Sequence, residues 1–271
     1  MQPLAGVRVL DFTTLLPGPL ATLMLAEAGA EVIKIERPGG EDMRGFPPFR
    51  DGASAPFAAL NGGKSGLAID LKNPDAIATL TPLIQGADVL VEQFRPGVMA
   101  RVGLSYEQAR AINPRLIYCS ITGFGQQGPR RDEAGHDINY QALTGLLSLS
   151  PGTPQEPNPP TALTADIGGG SFPAVINILL ALRQRDLTGE GMHLDIAMTD
   201  ALFSFLWLAL SDGAVGGRYP GPGEQSLAGG SPRYQLYATS DDRFLAVGAL
   251  EEKFWRPVGR RSSCRSHPAP D

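Results

Sequence analysis

Two residues of this 271-residue chain, His136 and Asp166, are of types and in settings that could move a proton. His136 lies in Ala134-Gly-His-Asp-Ile-Asn-Tyr140, on a loop just ahead of a helical pattern. An imidazole there can accept and return a proton near neutral pH, or simply be a structural histidine. Asp166 precedes Ile167-Gly168-Gly169-Gly170-Ser171 and a strongly apolar helix, a place that also suits a plain helix N-cap. The glycines make a cap alone an incomplete account, because each costs roughly 1 kcal/mol against alanine inside a helix. They would let a ligand lie on the backbone, facing free N–H groups at the positive helix end. Such a setting lowers a carboxylate pKa and keeps Asp166 ionised as base or nucleophile. Asp137 is equally ambiguous, since it can cap the helix that follows it. From spacing alone, cap and catalyst both stay open.

Other motifs narrow the chemistry. Gly123-Phe-Gly-Gln-Gln-Gly128 matches G-x-G-x-x-G after a strand, but Pro129-Arg-Arg-Asp-Glu133 follows where the dinucleotide fingerprint needs a helix. It also follows the fifth strand and not the first, so a flexible loop is expected. Lys64, in Leu60-Asn-Gly-Gly-Lys-Ser-Gly66, resembles a phosphate-binding turn without the full nucleotide-binding pattern. Arg37 and Arg101 read as solvated charges unless context says otherwise. Histidines at 136, 193 and 267 are too scattered for one metal ion, and no metal is expected. No G-x-S-x-G elbow is present, which removes the ordinary α/β-hydrolase.

The elements that must position these residues alternate strand and helix. Strands are predicted at Val7–Phe12, Glu31–Glu36, Leu67–Leu71, Ala87–Phe94, Leu116–Thr122 and His193–Ala197. Between them lie helices opened by Pro17-Gly18, by Asn73-Pro74 and at Ser105, then helices from Asp137 to about Leu149, Asp166 to Arg185 and Asp200 to Leu210. That series predicts an open, Rossmann-like, mostly parallel α/β sheet with flanking helices, followed by an incomplete small α+β domain. The expected domains are 1–212 for catalysis and binding, 213–230 as a linker, and 231–271 as the start of the small domain. Pro151–Pro160 is expected to be an extended connector, and Tyr234–Thr239 with Arg243–Gly248 a hairpin. Arg256–Asp271 loses its apolar periodicity.

With 23 Lys+Arg against 28 Asp+Glu, the formal net charge of -5 argues against nucleic acid as a partner. No secretory signal is expected, nor an apolar run of about 18 residues; the longest candidate is Ala201–Leu210. Two cysteines make no disulfide framework, so the expected location is the cytosol.

Together, Leu4-Ala-Gly-Val-Arg-Val-Leu-Asp11, Gly18-Pro-Leu-Ala21, Gly29-Ala-Glu-Val-Ile-Lys-Ile-Glu-Arg-Pro38 and Phe94-Arg-Pro-Gly97 resemble the family III CoA-transferase superfamily. Ile117-Tyr118 through Gly128-Pro129 extend the resemblance, which spans about residues 3 to 255. Gly135-His136-Asp137, where the transferases have Gly-Tyr-Asp, resembles the α-methylacyl-CoA racemase branch. The resemblance implies R/S interconversion of 2-methylacyl-CoA thioesters, with His136 and Asp166 flanking the α-carbon. It further implies roles for Arg101 in the active site and for Glu251, which completes the site from the partner subunit of an interlocked homodimer. It makes Arg37 a CoA-phosphate contact, Leu15 a lining residue of the nucleotide pocket, and Lys64, Asp137 and Tyr140 parts of the acyl-CoA site. The N–H groups of the Gly168–Gly170 turn, Gly168 and Gly169 among them, are the expected donors to the enolate oxygen. No cofactor beyond the CoA moiety of the substrate is implied. Arg256–Asp271 does not resemble the family's continuation, and a truncated or frameshifted end is expected there. CoA transfer to a free acid with Asp166 as nucleophile, and an inactive remnant, are the competing expectations.

Overall fold

The computed structural model describes residues 2–150, 152, 156 and 158–261. Its strands are β1 (Arg8–Asp11), β2 (Glu31–Glu36), β3 (Phe49–Arg50), β4 (Ala53–Ser54), β5 (Ser65–Ala68), β6 (Val89–Glu92), β7 (Ile117–Thr122), β8 (His193–Ala197), β9 (Tyr234–Ala238) and β10 (Phe244–Gly248). Six of them build one sheet in the order β5-β2-β1-β6-β7-β8, with every pairing parallel. Strand order reverses between β1 and β6, the place where open α/β sheets leave a crevice at their carboxyl ends.

The centre of this sheet is a continuous apolar run. Val89, Leu90 and Val91 of β6 and Ile117, Cys119 and Ile121 of β7 are fully buried. Parallel strands are covered on both faces, so their sequences need not alternate. Each such aliphatic side chain contributes about 1.5–3 kcal/mol by leaving water. The helix Ala76–Gln85 seals one side through Ala76, Leu80 and Ile84.

Two compact units are present: residues 1–144 with 161–204, and residues 145–160 with 205–271. The first holds the six-stranded sheet. The second contains a short 3-10 turn at Leu146–Leu149, the helix Trp207–Gly216, the antiparallel hairpin β9–β10 and the helix Glu252–Arg261.

Several predicted elements differ from those found. The edge strand β5 begins at Ser65, two residues ahead of Leu67, because its pairing with β2 sets Ser65 opposite Ile33. The helix expected from Asn73-Pro74 starts at Ala76. Asp137–Leu149 is a helix only to Thr144, where left-handed Gly145 ends it. The expected helix Asp200–Leu210 is two, Met198–Leu202 and Trp207–Gly216, so helix reaches into the expected linker. A ribbon of β3 and β4 and a helix at Ala55–Asn61 were not foreseen. Helix also continues from Glu252 to Arg261, past the point where periodicity fades. Residues 262–271 and part of the Pro151–Pro160 connector lie outside the described residues.

The stretch Ala165–Thr188 corrects another expectation. It is long and apolar enough to cross a membrane by length and composition, unlike the shorter Ala201–Leu210. Half of its apolar window is buried in the fold, as in the core helix of a packed domain.

Candidate active site

A cavity of about 470 Å³ opens where the strand order reverses. Leu15 and Pro17 reach it from the end of β1, Gln93 to Pro96 from β6, and Ile121 to Gly123 from β7. His136, Asn139, Tyr140 and Asp166 complete its polar wall. The imidazole of His136 and the carboxyl of Asp166 therefore share one space.

The His136 backbone is pinned while its side chain stays exposed. Its N–H donates to Asn139 Oδ1 at 3.0 Å, and its carbonyl accepts from the Asn139 and Tyr140 amides at 2.9 and 3.3 Å. Tyr140 donates its hydroxyl to the Gly135 carbonyl at 2.7 Å. Its ring presses so close that a Cβ at Gly123 or Gly135 would fall 2.6 or 2.7 Å from it. Both glycines are thus demanded by one aromatic ring, which Phe124 meets edge-on at 5.3 Å.

Asp166 sits inside a wide helical turn. Residues Ala165–Ser171 wind as a π-helix before the α-helix Phe172–Thr188, a departure from regular winding often seen at functional sites. The opening amides of that turn do not serve Asp166. Ala165 N and Asp166 N both donate to Asp137 Oδ1, at 2.7 and 3.0 Å. Among the described residues the Asp166 carboxylate has no hydrogen-bond partner. Burial pushes its pKa up to about 6, the Asp137 charge adds to this, and His136 opposes it. The expectation of a depressed pKa is overturned, since the helix-end donors are spent on a different carboxylate.

Comparison with known proteins places this architecture. Residues 4–262 match CoA-transferase family III. The chain belongs to that family. It is 40% identical to a mouse (Mus musculus) protein named alpha-methylacyl-CoA racemase, covering 93% of this chain and 62% of that one. It is 39% identical to a succinate–glutarate CoA-transferase of Agrobacterium fabrum, covering 91% of this chain and 63% of that one. A solved CaiB/BaiF family protein of Brucella suis superposes with a TM-score of 0.82 at 32% identity, over 95% of this chain and 75% of the other. The chain thus spans a little over three-fifths of the length of those two curated relatives.

Of the residues predicted for this family III site, His136, Asp166, Leu15 and Tyr140 line the cavity. The others lie elsewhere. Asp137 is buried behind the wall, its second oxygen accepting from Gln141 Nε2 at 2.6 Å, so it caps a turn distant in sequence and is outside the cavity lining. Arg101 is exposed on the short helix Val98–Arg101 and outside the lining. Arg37 borders a separate shallow hollow with Glu36, Arg44 and Gly66, where it pairs with Asp42 and donates to the Gly40 carbonyl at 2.9 Å. Glu251 belongs to the second unit, where its carbonyl accepts from Phe254 N and Trp255 N.

The glycines have an architectural reason that spacing did not reveal. A Cβ at Gly169 would fall 2.3 Å from the Met198 carbonyl oxygen, and one at Gly170 3.0 Å from Pro17 Cβ. They admit close contact with the turn after β8 and the start of the helix Pro17–Glu27. Gly168 lies within the same turn, and neither it nor Gly169 lines the cavity.

Lys64 is a buried cation whose ammonium faces protein acceptors, outside the cavity lining. Its three N–H donors are shared among four oxygens, Asp11 Oδ2 at 3.1 Å, Thr22 Oγ1 at 2.8 Å, Asn61 Oδ1 at 2.9 Å and the Pro19 carbonyl at 2.9 Å. Lys34 lies alongside, 2.9 Å from Glu41 Oε1 and 2.8 Å from the Thr13 carbonyl. Glu41 Oε2 in turn accepts from Leu15 N at 2.7 Å. Leu15 has φ of 61°, a left-handed conformation that non-glycine residues avoid at a cost of about 1–2 kcal/mol. The buried charge cluster thereby holds a strained lining residue in place.

Sequence reasoning missed Arg95, Gln93 and Asn139. Arg95 presents a cavity-facing guanidinium with no ion-pair partner among the described residues, and it opposes the burial-driven rise of the Tyr140 pKa. Its position directly after a central strand at the reversal of strand order was the available signal. Among the described residues no three His, Cys, Asp or Glu side chains converge as a metal site requires.

Proposed function

We propose that this family III chain carries the acyl-CoA site of a racemase interconverting R and S 2-methylacyl-CoA thioesters. The carrying observation is the shared cavity of His136 and Asp166, with the Asp166 pKa raised to about 6. An α-proton beside a thioester is weakly acidic, so its removal needs a base and a donor for the enolate oxygen. A carboxylate raised to about 6 is a stronger base than an ordinary one, yet is ionised at neutral pH. Either His136 or Asp166 takes the proton, and the C–H electron pair moves into the thioester as an enolate. The group on the opposite face returns a proton to the same carbon, which inverts it. Asn139 keeps its Nδ2 as a donor on the cavity wall, and Arg95 supplies positive charge there.

In this reading the CoA moiety of the substrate runs toward Arg37, and no metal or separate cofactor takes part. Glu251 from the partner of a homodimer completes the site. The exposed stripe Phe172, Ile176 and Leu180 supports a buried subunit face.

A second reading is favoured by the transferase relative and by the unpartnered Asp166 carboxylate. There Asp166 attacks an acyl-CoA carbonyl, forms a mixed anhydride and releases CoA thiolate. Incubation with (R)-2-methylacyl-CoA in deuterated water separates the two. Racemisation places deuterium at C2 with no acceptor acid present. New thioester that forms only with an acceptor, and a hydroxylamine-trapped Asp166, would mean transfer.

A further inference from the structure

We infer that Asp137 is a positioning residue, which fixes the spacing of His136 and Asp166 and sets a buried negative charge behind Asp166. This rests on reading those two residues as the acid/base pair. Asp137 directly follows His136 in the chain, and its carboxylate directly grips the start of the turn that carries Asp166. Oδ1 accepts from both Ala165 N and Asp166 N, and Oδ2 accepts from Gln141 Nε2. Gln141 is itself buried and also reaches the Ala162 carbonyl at 3.4 Å, which ties the segment entering the turn to the same point. One carboxylate thus joins two segments 28 residues apart, at 137 and 165. Its three N–H donors satisfy it without any cation, so the charge stays local and uncancelled.

That charge has a chemical consequence. Around Asp166 the cavity wall carries His136, Tyr140, Arg95, Arg131 and Glu133, with Asp137 behind it. The other segments packed on the turn carry Asp200 after β8, His193 and Asp195 in β8, and Glu27 at the far end of the helix Pro17–Glu27. Arg183, Arg185 and Asp186 lie toward the far end of the helix Phe172–Thr188. Beyond burial, Asp137 raises the Asp166 pKa and His136 lowers it. A like charge held beyond the wall makes Asp166 more basic without occupying the cavity. A cation or neutral donor in its place would leave a weaker base.

Asp137→Asn separates charge from spacing. Asparagine keeps one oxygen for the Ala165 and Asp166 amides, and rotation of the Gln141 amide can present its oxygen to the new NH2 group. The expected result is a folded protein whose Asp166 titrates lower than in the parent, by about one pH unit. The readout is the 13C carboxyl shift of Asp166 against pH, assigned with Asp166→Asn, and it requires no turnover. An unmoved midpoint would overturn the electrostatic role. Asp137→Glu keeps the charge and displaces it by one methylene; it should leave the midpoint raised but lower kcat at least tenfold with little change in KM.

Unaltered kcat in Asp137→Glu would overturn the positioning role. Where a variant does not fold, the unmodified chain decides: the amides of Ala165 and Asp166 should be protected from hydrogen exchange, and rapid exchange of both would refute the latch. Loss of deuterium incorporation in the parent, with the Asp166 midpoint still moved by Asp137→Asn, would refute the racemase reading alone.

Discussion

Asp11 and Asp166 are both carboxylates near the ends of secondary-structure elements in one unit, and their surroundings make them opposites. Burial alone would push Asp11 up, but Lys34 and Lys64, with hydroxyls from Thr13 and Thr22, hold its pKa below the usual range. Asp166 is raised by burial and by the like charge behind it, with only His136 opposing, so its pKa rises to about 6. The first is a fastener, permanently ionised and saturated with donors. The second is left able to give and take a proton. Donor supply, more than depth, separates a structural acid from a reactive one.

Substitutions should break the comparison unequally. The largest effect is expected from Asp166→Asn, which should lower C2 exchange with inversion at least about a thousandfold, measured by loss of optical rotation in the thioester. Lys64→Met comes next. It strands Asp11 beside a single ammonium 4.0 Å away and should cost about 3–5 kcal/mol in urea unfolding, where a surface lysine would cost almost nothing. Gly169→Ala should destabilise by about 1–3 kcal/mol, because its Cβ meets a backbone oxygen that cannot move aside.

The comparison sharpens with pH. A carboxyl whose folded pKa is raised keeps its proton while the unfolded chain releases it, so stability falls as pH rises from the ordinary carboxylate range to about 6. Asp166→Asn removes that loss and should be more stable than the parent at pH 7, by about 1 kcal/mol once partial solvation is allowed for. Turnover started by Asp166 as base should run the other way, rising with pH through about 6. The smallest effect belongs to Arg101→Ala, exposed and off the cavity, which should change stability by less than about 0.5 kcal/mol and leave exchange intact.

The parallel sheet and the succession of its strands along the chain were legible because buried parallel strands write continuous apolar runs, and Pro and Gly mark their ends. The shared cavity of His136 and Asp166 was implied only by the family resemblance, and the order β5-β2-β1-β6-β7-β8 was not foreseen. β2 and β8 have the predicted limits because their neighbours pair with them at full length. What stayed hidden depends on contacts distant in sequence. Lys64 looked like part of a phosphate-binding turn because nothing local announces Asp11, which lies 53 residues earlier. Gly169 looked available to a ligand because Met198 comes only after a further helix and strand. Asp137 looked like a cap for its own helix, whereas the amides it satisfies belong to the turn at Ala165. Arg95 was noticed within a motif but given no task, since its lack of an ion-pair partner is visible only in three dimensions.

The claim that the two groups stand on opposite faces of one carbon is tested most directly by solvent deuterium exchange in His136→Gln and Asp166→Asn with each enantiomer of a 2-methylacyl-CoA supplied separately. Each variant should wash deuterium into only one enantiomer without inverting it, and the two variants should choose opposite enantiomers. Exchange of the same enantiomer by both, or inversion surviving in either, would contradict it.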